Sequence, residues 1–214
     1  MEPFVFKGCV EIRELLGKKA DDELKLLELI EEVPVDSIYY HTHSYFLRHP
    51  YIAGTYPNDF ANWAATEIRD KVLGEKLASV TPKPPKSIEE VRLELMEIID
   101  EHLSSIHSIP FVGYGEPFYF MKSRIIEIPT ERSAHTFQEF KESLRKINTS
   151  VVYNHIFEAG TRSRRGRSDF AIWLEHALNK RILADKFEMI DSYMYSLEGL
   201  RNKLLELCDE EMEG

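Results

Sequence analysis

His41, His43 and His49 stand within IYYHTHSYFLRHP (38–50), among four aromatic residues. Neutral imidazole is the commonest metal ligand, and its ordinary pKa suits proton transfer near neutrality. On a helix, residues two apart point about 200° apart, so His41 and His43 cannot share one ion without distortion. A second stretch, HIFEAGTRSRRGRSDF (155–170), sets His155 and Glu158 three apart on one helix face, a spacing used in metal sites. His41, His155 and Glu158 are therefore candidate ligands for a divalent metal, with His41 or Asp169 as the third ligand beside His155 and Glu158. Asp59 and Asp169, in the phrases NDFANW (58–63) and SDFAIW (168–173), join His41 and His155 as candidate acid–base groups. Each of these residues also has a plainer role. An aspartate one residue inside a helix start favours the positive helix end, and an aromatic-flanked histidine packs and hydrogen-bonds in a core.

Arg162, Arg164, Arg165 and Arg167 form a basic loop directly ahead of the second DFA phrase. Guanidinium forks beside the free N–H groups of a helix start would hold a phosphate or carboxylate, so these four are candidate anion-binding residues. They stand out because the chain as a whole is acidic, with a net charge of −10. That balance argues against nucleic acid, whose binding depends on neutralising phosphates with basic side chains. No apolar run approaches the ~20 residues of a membrane helix. The start, MEPFVFKGCVEIRELLGKK, has neither the basic opening nor the apolar block of a signal peptide, so a cytoplasmic location is expected. GYGEPF lacks the lysine and following hydroxyl residue of a phosphate-binding loop. There is no GxSxG, HExxH, EF-hand loop or zinc-type cysteine spacing. The residues thus leave open whether the chain is an enzyme.

The elements that must position these groups come in two similar sets. At a shift of 114, FVF (4–6) falls on FYF (118–120), Tyr39 on Tyr153 and His41 on His155. At 110, Asp59-Phe60-Ala61 and Trp63 fall on Asp169-Phe170-Ala171 and Trp173. At 109, SIEEVRLELMEIIDEHL (87–103) lies on SLEGLRNKLLELCDEEM (196–212), with Arg92 on Arg201. Shared helical periodicity cannot match tryptophans, histidines and DFA triplets in one order. The chain reads as a tandem duplication of 1–105 and 116–214, joined by a Gly- and Pro-bearing linker at 106–115. Each copy reads as one short strand (FVFKGCVEI, FYFMKSRIIEI) followed by about four helices. Asn58, Ser168 and Ser87 are natural N-caps, and Ser87 with Glu90 makes a capping box. The fold expected is mainly α, an α+β arrangement with a minor β component, the copies packed about a pseudo-two-fold axis as one globular unit.

With 43% apolar and 30% charged residues the chain has the composition of an ordinary globular protein. Cys9 and Cys208 fit small buried hydrophobes rather than a disulfide. Gln138 is the only glutamine, a bias that fits a heat-loving source.

FxF near the start, YYHTH, NDFAxW, LGExLA, FYFMKS, HIFEA and SDFAIWL together resemble an uncharacterised prokaryotic family catalogued as a domain of unknown function. The resemblance covers nearly the whole chain. It implies a genomic setting near glycosyltransferases and other carbohydrate-active enzymes, and it carries no established catalytic or binding residue. Asn154 departs from the pattern, which has an aromatic beside this histidine, so the surroundings of His155 and His41 are not expected to be strictly equivalent. The leading expectation is a non-enzymatic binding or regulatory module, accessory to carbohydrate metabolism, that holds a small anionic ligand or a protein partner. The alternatives are a metal-assisted hydrolase or transferase acting on a phosphorylated sugar, and a structural homo-oligomer or scaffold.

Overall fold

The alternation Phe4-Val5-Phe6 puts both phenylalanines on one face of a strand, and in the structure both are buried while Val5 is exposed. The structure, a computed structural model, describes residues 2–51, 54–83, 86–113, 115–162 and 166–213; of 161, 162 and 213 it describes the backbone alone. Strand β1 runs Phe4–Ala20 and strand β2 runs Phe118–Ala134, and the two pair as a two-stranded sheet. Lys7 pairs with Glu127 at 2.8 Å and Glu14 with Lys122 at 3.1 Å, so the strands run antiparallel. Both strands are longer than the expected 4–12 and 118–128. Their second halves are exposed and rich in Lys, Arg and Glu, so no apolar alternation marks them.

Between the strands lie α1 (Glu23–Glu32), α2 (Val35–His41), α3 (Tyr45–Arg48), α4 (Asp59–Trp63), α5 (Lys71–Ala78) and α6 (Ile88–Ser105). After β2 come α7 (Phe137–Lys146), α8 (Thr149–Tyr153), α9 (Ala159–Arg162), α10 (Asp169–His176), α11 (Arg181–Met189) and α12 (Leu197–Glu213). A π-helical turn extends α4 over Ala64–Ile68, and another, Asn154–Glu158, joins α8 to α9. The chain is therefore mainly helical with a minor β part.

Local chemistry accounts for the helix starts. Asn58 accepts from the Ala61 N–H, Ser168 from Ala171, Asp70 from Leu73 and Asp22 from Lys25. Ser87 with Glu90, and Thr136 with Glu139, form reciprocal capping boxes. One helix end is closed from a distance. The buried Arg92 guanidinium donates to the carbonyls of Ile30, Glu31 and Val33 at 2.6, 3.1 and 2.8 Å, where α1 leaves its last acceptors free. Arg201 donates likewise to the Ile147 carbonyl at 2.8 Å, at the end of α7.

Two compact units are present, and neither is one continuous half of the chain. The first comprises Met1–Val10, Phe46–Ala53 and Ile125–Gly214; the second comprises Glu11–Tyr45 and Gly54–Arg124. In the first, Phe4 and Phe6 pack with Phe140, Leu144, Phe170, Leu183 and Leu204. In the second, Phe118 and Phe120 pack with Leu26, Ile30, Phe60, Leu73 and Leu95. Each unit thus takes the phenylalanine pair at the start of one strand into a core whose helices, Phe46 of α3 apart, come from the other half of the sequence. Cys9 and Cys208 are both buried and unlinked.

Candidate functional site

Burial of His155 at the π-helical turn after α8 places its ring against Phe4 and Phe170, at 4.8 and 5.2 Å between centroids. Nδ1 lies 2.8 Å from Asp169 Oδ2, and Nε2 accepts the Lys7 backbone N–H at 2.8 Å. A backbone N–H can only donate, so Nε2 must carry the lone pair and Nδ1 the proton. His155 is then a neutral ring that donates to Asp169 and ties β1 to the helices. In the other unit His41 does the same: Nδ1 meets Asp59 Oδ2 at 2.8 Å, and Nε2 accepts from the Met121 N–H at 3.1 Å. Aspartate and histidine here have the partnership seen in hydrolytic triads, but there Nε2 faces a nucleophile. In this protein that nitrogen is spent on a strand.

Asn154 distinguishes the two settings, as its departure from the expected aromatic implies. Its amide nitrogen donates to the Lys7 carbonyl at 3.1 Å and to Glu127 at 3.3 Å, adding a polar link beside His155. An open cleft of about 500 Å³ adjoins it, lined by Phe4, Val5, Lys7, Glu127, His155 and Asp169. Asp169 is the residue of the dyad that meets it, with a side chain 37% exposed against 4% for His155. Lys7 and Glu127 form a half-exposed ion pair at 2.8 Å on the same cleft.

The structure brings His155, Asp169 and His41, Asp59 together as two separate pairs. Glu158 closes the same π-helical turn as His155. Burial, with Asp191 and Glu158 nearby, pushes the Tyr193 phenol well above its usual range. Arg167 is committed to Glu175 at 2.6 Å. Arg162 ends α9, but its side chain, together with Arg164 and Arg165, lies outside the described residues.

One constellation has no signature in the sequence. Glu23 opens α1, Asp70 caps α5 and His102 lies near the end of α6, and their ligand-type atoms all fall within 4.8 Å of one another. Among the described residues this is the only such group of three. Burial, then Asp70 and Asp22, push the Glu23 carboxyl up to about 7. Read singly, each residue is ordinary: a first-turn glutamate, an N-cap and a histidine on a helix.

Over residues 1–209 the chain matches the family model described as DUF5752, a family of unknown function. The chain belongs to that family. This DUF5752 chain is also similar to the solved structure of OrfY from Thermoproteus tenax, with a TM-score of 0.79 and 24% identity. The match covers 100% of this chain and 97% of that one, and at this identity it speaks for the fold alone. No curated protein matches. Among the described residues no helix is long and apolar enough to cross a membrane.

His43 of this DUF5752 chain has a different environment from His41. It is buried and stacks on Tyr39 at 5.0 Å, as Phe157 stacks on Tyr153 at 5.4 Å. Burial pulls its pKa down to about 3, against a hydrogen bond to the Pro82 carbonyl that acts the other way. Unfolding restores a pKa near 6.5, so between pH 6.5 and 3 the unfolded chain binds the extra proton and stability falls as pH falls. His43→Phe removes that term. Between pH 7 and pH 5 the variant is expected to lose about 2 kcal/mol less stability than wild type, measured by urea unfolding at both pH values. Equal losses in the two proteins would contradict the assignment.

Proposed function

We propose that the protein is a non-enzymatic binding module, accessory to carbohydrate metabolism, and that its ligand is a small hydroxyl-rich anion such as a sugar phosphate. The observation that carries this reading is the cleft beside Asp169. There a carboxylate and the Lys7–Glu127 ion pair line the cleft, while both nitrogens of His155 are used inside the fold. Such a lining offers donors and acceptors for hydroxyl groups and no free general base from the histidine. In sequence, Arg162, Arg164 and Arg165 come just before Asp169 and supply the positive charge for the anionic end, while Arg167 is held by Glu175. His155 and Glu158 could act as metal ligands only if His155 gave up the Lys7 N–H or the Asp169 carboxylate.

The tandem duplication is part of the same proposal, with copies 1–105 and 116–214 and a linker at 106–115. Its support is the recurrence of the aspartate–histidine–strand contact, the arginine over a helix end and the phenylalanine pair at aligned positions.

Thermal unfolding of tag-free protein against nucleotides, sugars and sugar phosphates tests the reading. A ligand at a hundred times its Kd is expected to raise Tm by several degrees, equivalent to about 2.7 kcal/mol. The double variant Arg164→Glu/Arg165→Glu should abolish that rise and leave the ligand-free Tm unchanged. Silence across the panel, or a rise that survives charge reversal, would overturn the anionic-ligand reading.

A further inference from the structure

We propose that Glu23, Asp70 and His102 form a site for one divalent transition-metal ion, of the zinc class, that clamps the ends of α1, α5 and α6. The site is separate from the cleft and does not rest on the binding reading.

The geometry suits such an ion. His102 Nε2 stands 2.9 Å from Asp70 Oδ2 and 3.8 Å from Glu23 Oε2. Ligands at 2.0–2.1 Å from a tetrahedral zinc lie roughly 3.3 Å from one another, between those two values. One imidazole nitrogen with two carboxylates is a zinc-type donor set; calcium and magnesium favour oxygen alone. Asp70 is held in place independently, because its other oxygen, Oδ1, caps α5 through the Leu73 N–H at 2.9 Å. The residue before it, Arg69, sits at φ 67, a conformation uncommon for a side-chain-bearing residue, and it turns the chain into that cap.

The demand for a cation comes from Glu23. Its side chain is 0% exposed, and neither carboxylate oxygen accepts a hydrogen bond from any described protein group. A buried carboxylate without donors is costly unless it is neutralised or bound to a metal. No lysine or arginine among the described residues forms an ion pair with Glu23 or Asp70. Among the described residues, His102 is the one basic side chain within ion-pair distance of either.

The aligned positions in the second half make the same point independently. Shifts of 114, 110 and 109 set Glu23, Asp70 and His102 opposite Phe137, Lys180 and Glu211. There the Lys180 ammonium pairs with Glu211 at 2.8 Å and lies 4.7 Å from the centre of the Phe137 ring. That position carries a built-in cation in one half. In the other, two carboxylates and an imidazole converge with no lysine or arginine paired to them among the described residues, and a metal ion from solution would supply that charge.

The test uses tag-free full-length protein, stripped with chelator and titrated with Zn²⁺, Mn²⁺, Mg²⁺ and Ca²⁺. Bound metal is counted by elemental analysis and Tm is followed. The expected result is one zinc per chain and a rise of several degrees in Tm, with Mn²⁺ weaker and Mg²⁺ and Ca²⁺ without effect. Asp70→Asn keeps an N-capping side chain and should weaken zinc binding a hundredfold or more. Glu23→Gln should raise the Tm of the stripped protein and remove its zinc response. Glu211→Gln should leave zinc binding unchanged. Failure of the wild type to hold stoichiometric zinc overturns the site, as does equal binding by Asp70→Asn and Glu23→Gln. A preference for calcium or magnesium overturns the assigned metal class.

Discussion

Replacing Phe6 with alanine is expected to destabilise the protein by about 3–5 kcal/mol, the range for emptying a large aromatic from a packed core. Phe6 is fully buried, stacks on Phe140 at 5.7 Å and lies within 6.3 Å of Phe170. None of those partners is near it in sequence, so the loss measures how firmly the start of β1 is seated in a core built by α7 and α10. Phe120→Ala, whose ring is equally buried in the other unit, should cost a similar amount. Val5→Ala, at a position 43% exposed, is the control and should change stability by less than about 1 kcal/mol. Urea unfolding monitored by circular dichroism reads all three. A Phe6→Ala loss no larger than that of Val5→Ala would mean that the strand start is not part of the core.

The second large effect is expected at the histidines. His155→Phe fills much of the same space but leaves the Lys7 N–H without its acceptor and removes the partner of Asp169 Oδ2. An orphaned buried donor costs about 1–3 kcal/mol and a hydrogen bond to a charged group is worth about 1.5–3. These contacts are part-buried, so the low ends of both ranges apply and predict a loss of about 2–3 kcal/mol, and His41→Phe should match it through Met121 and Asp59. Amide exchange gives a readout that general destabilisation does not. Under conditions where the fold is retained, exchange should accelerate first at Lys7 in His155→Phe and at Met121 in His41→Phe. In wild type, ¹⁵N chemical shifts should show both rings as the Nδ1–H tautomer. A ring with Nε2 protonated would contradict the assigned hydrogen bond and reopen acid–base roles for that histidine.

Helix starts were legible because their causes are local. Asn58, Ser168 and Ser87 cap with their own side chains, and the FxF alternation marks which face of each strand enters a core. The strand lengths were not legible, since the exposed second half of each strand is defined by pairing with the first half of the other and not by burial. The aspartates and histidines could be picked out one at a time. Their pairing could not, because Asp169 on α10 meets a histidine 14 residues earlier in the chain, and Lys7 arrives from the other end of the sequence.

By itself the sequence determined the helical class, the cap residues, the matched phrases and the acidic balance, all consequences of residue type and short-range spacing. Only the tertiary structure decided which core each strand enters. It also decided that the paired histidines spend their second nitrogen on a strand N–H, and that Glu23, Asp70 and His102 meet. The physical reason is the same in each case. Hydrogen bonds, ring contacts and ion pairs act over a few ångströms between groups far apart along the chain, and packing of the whole fold is what brings them within reach.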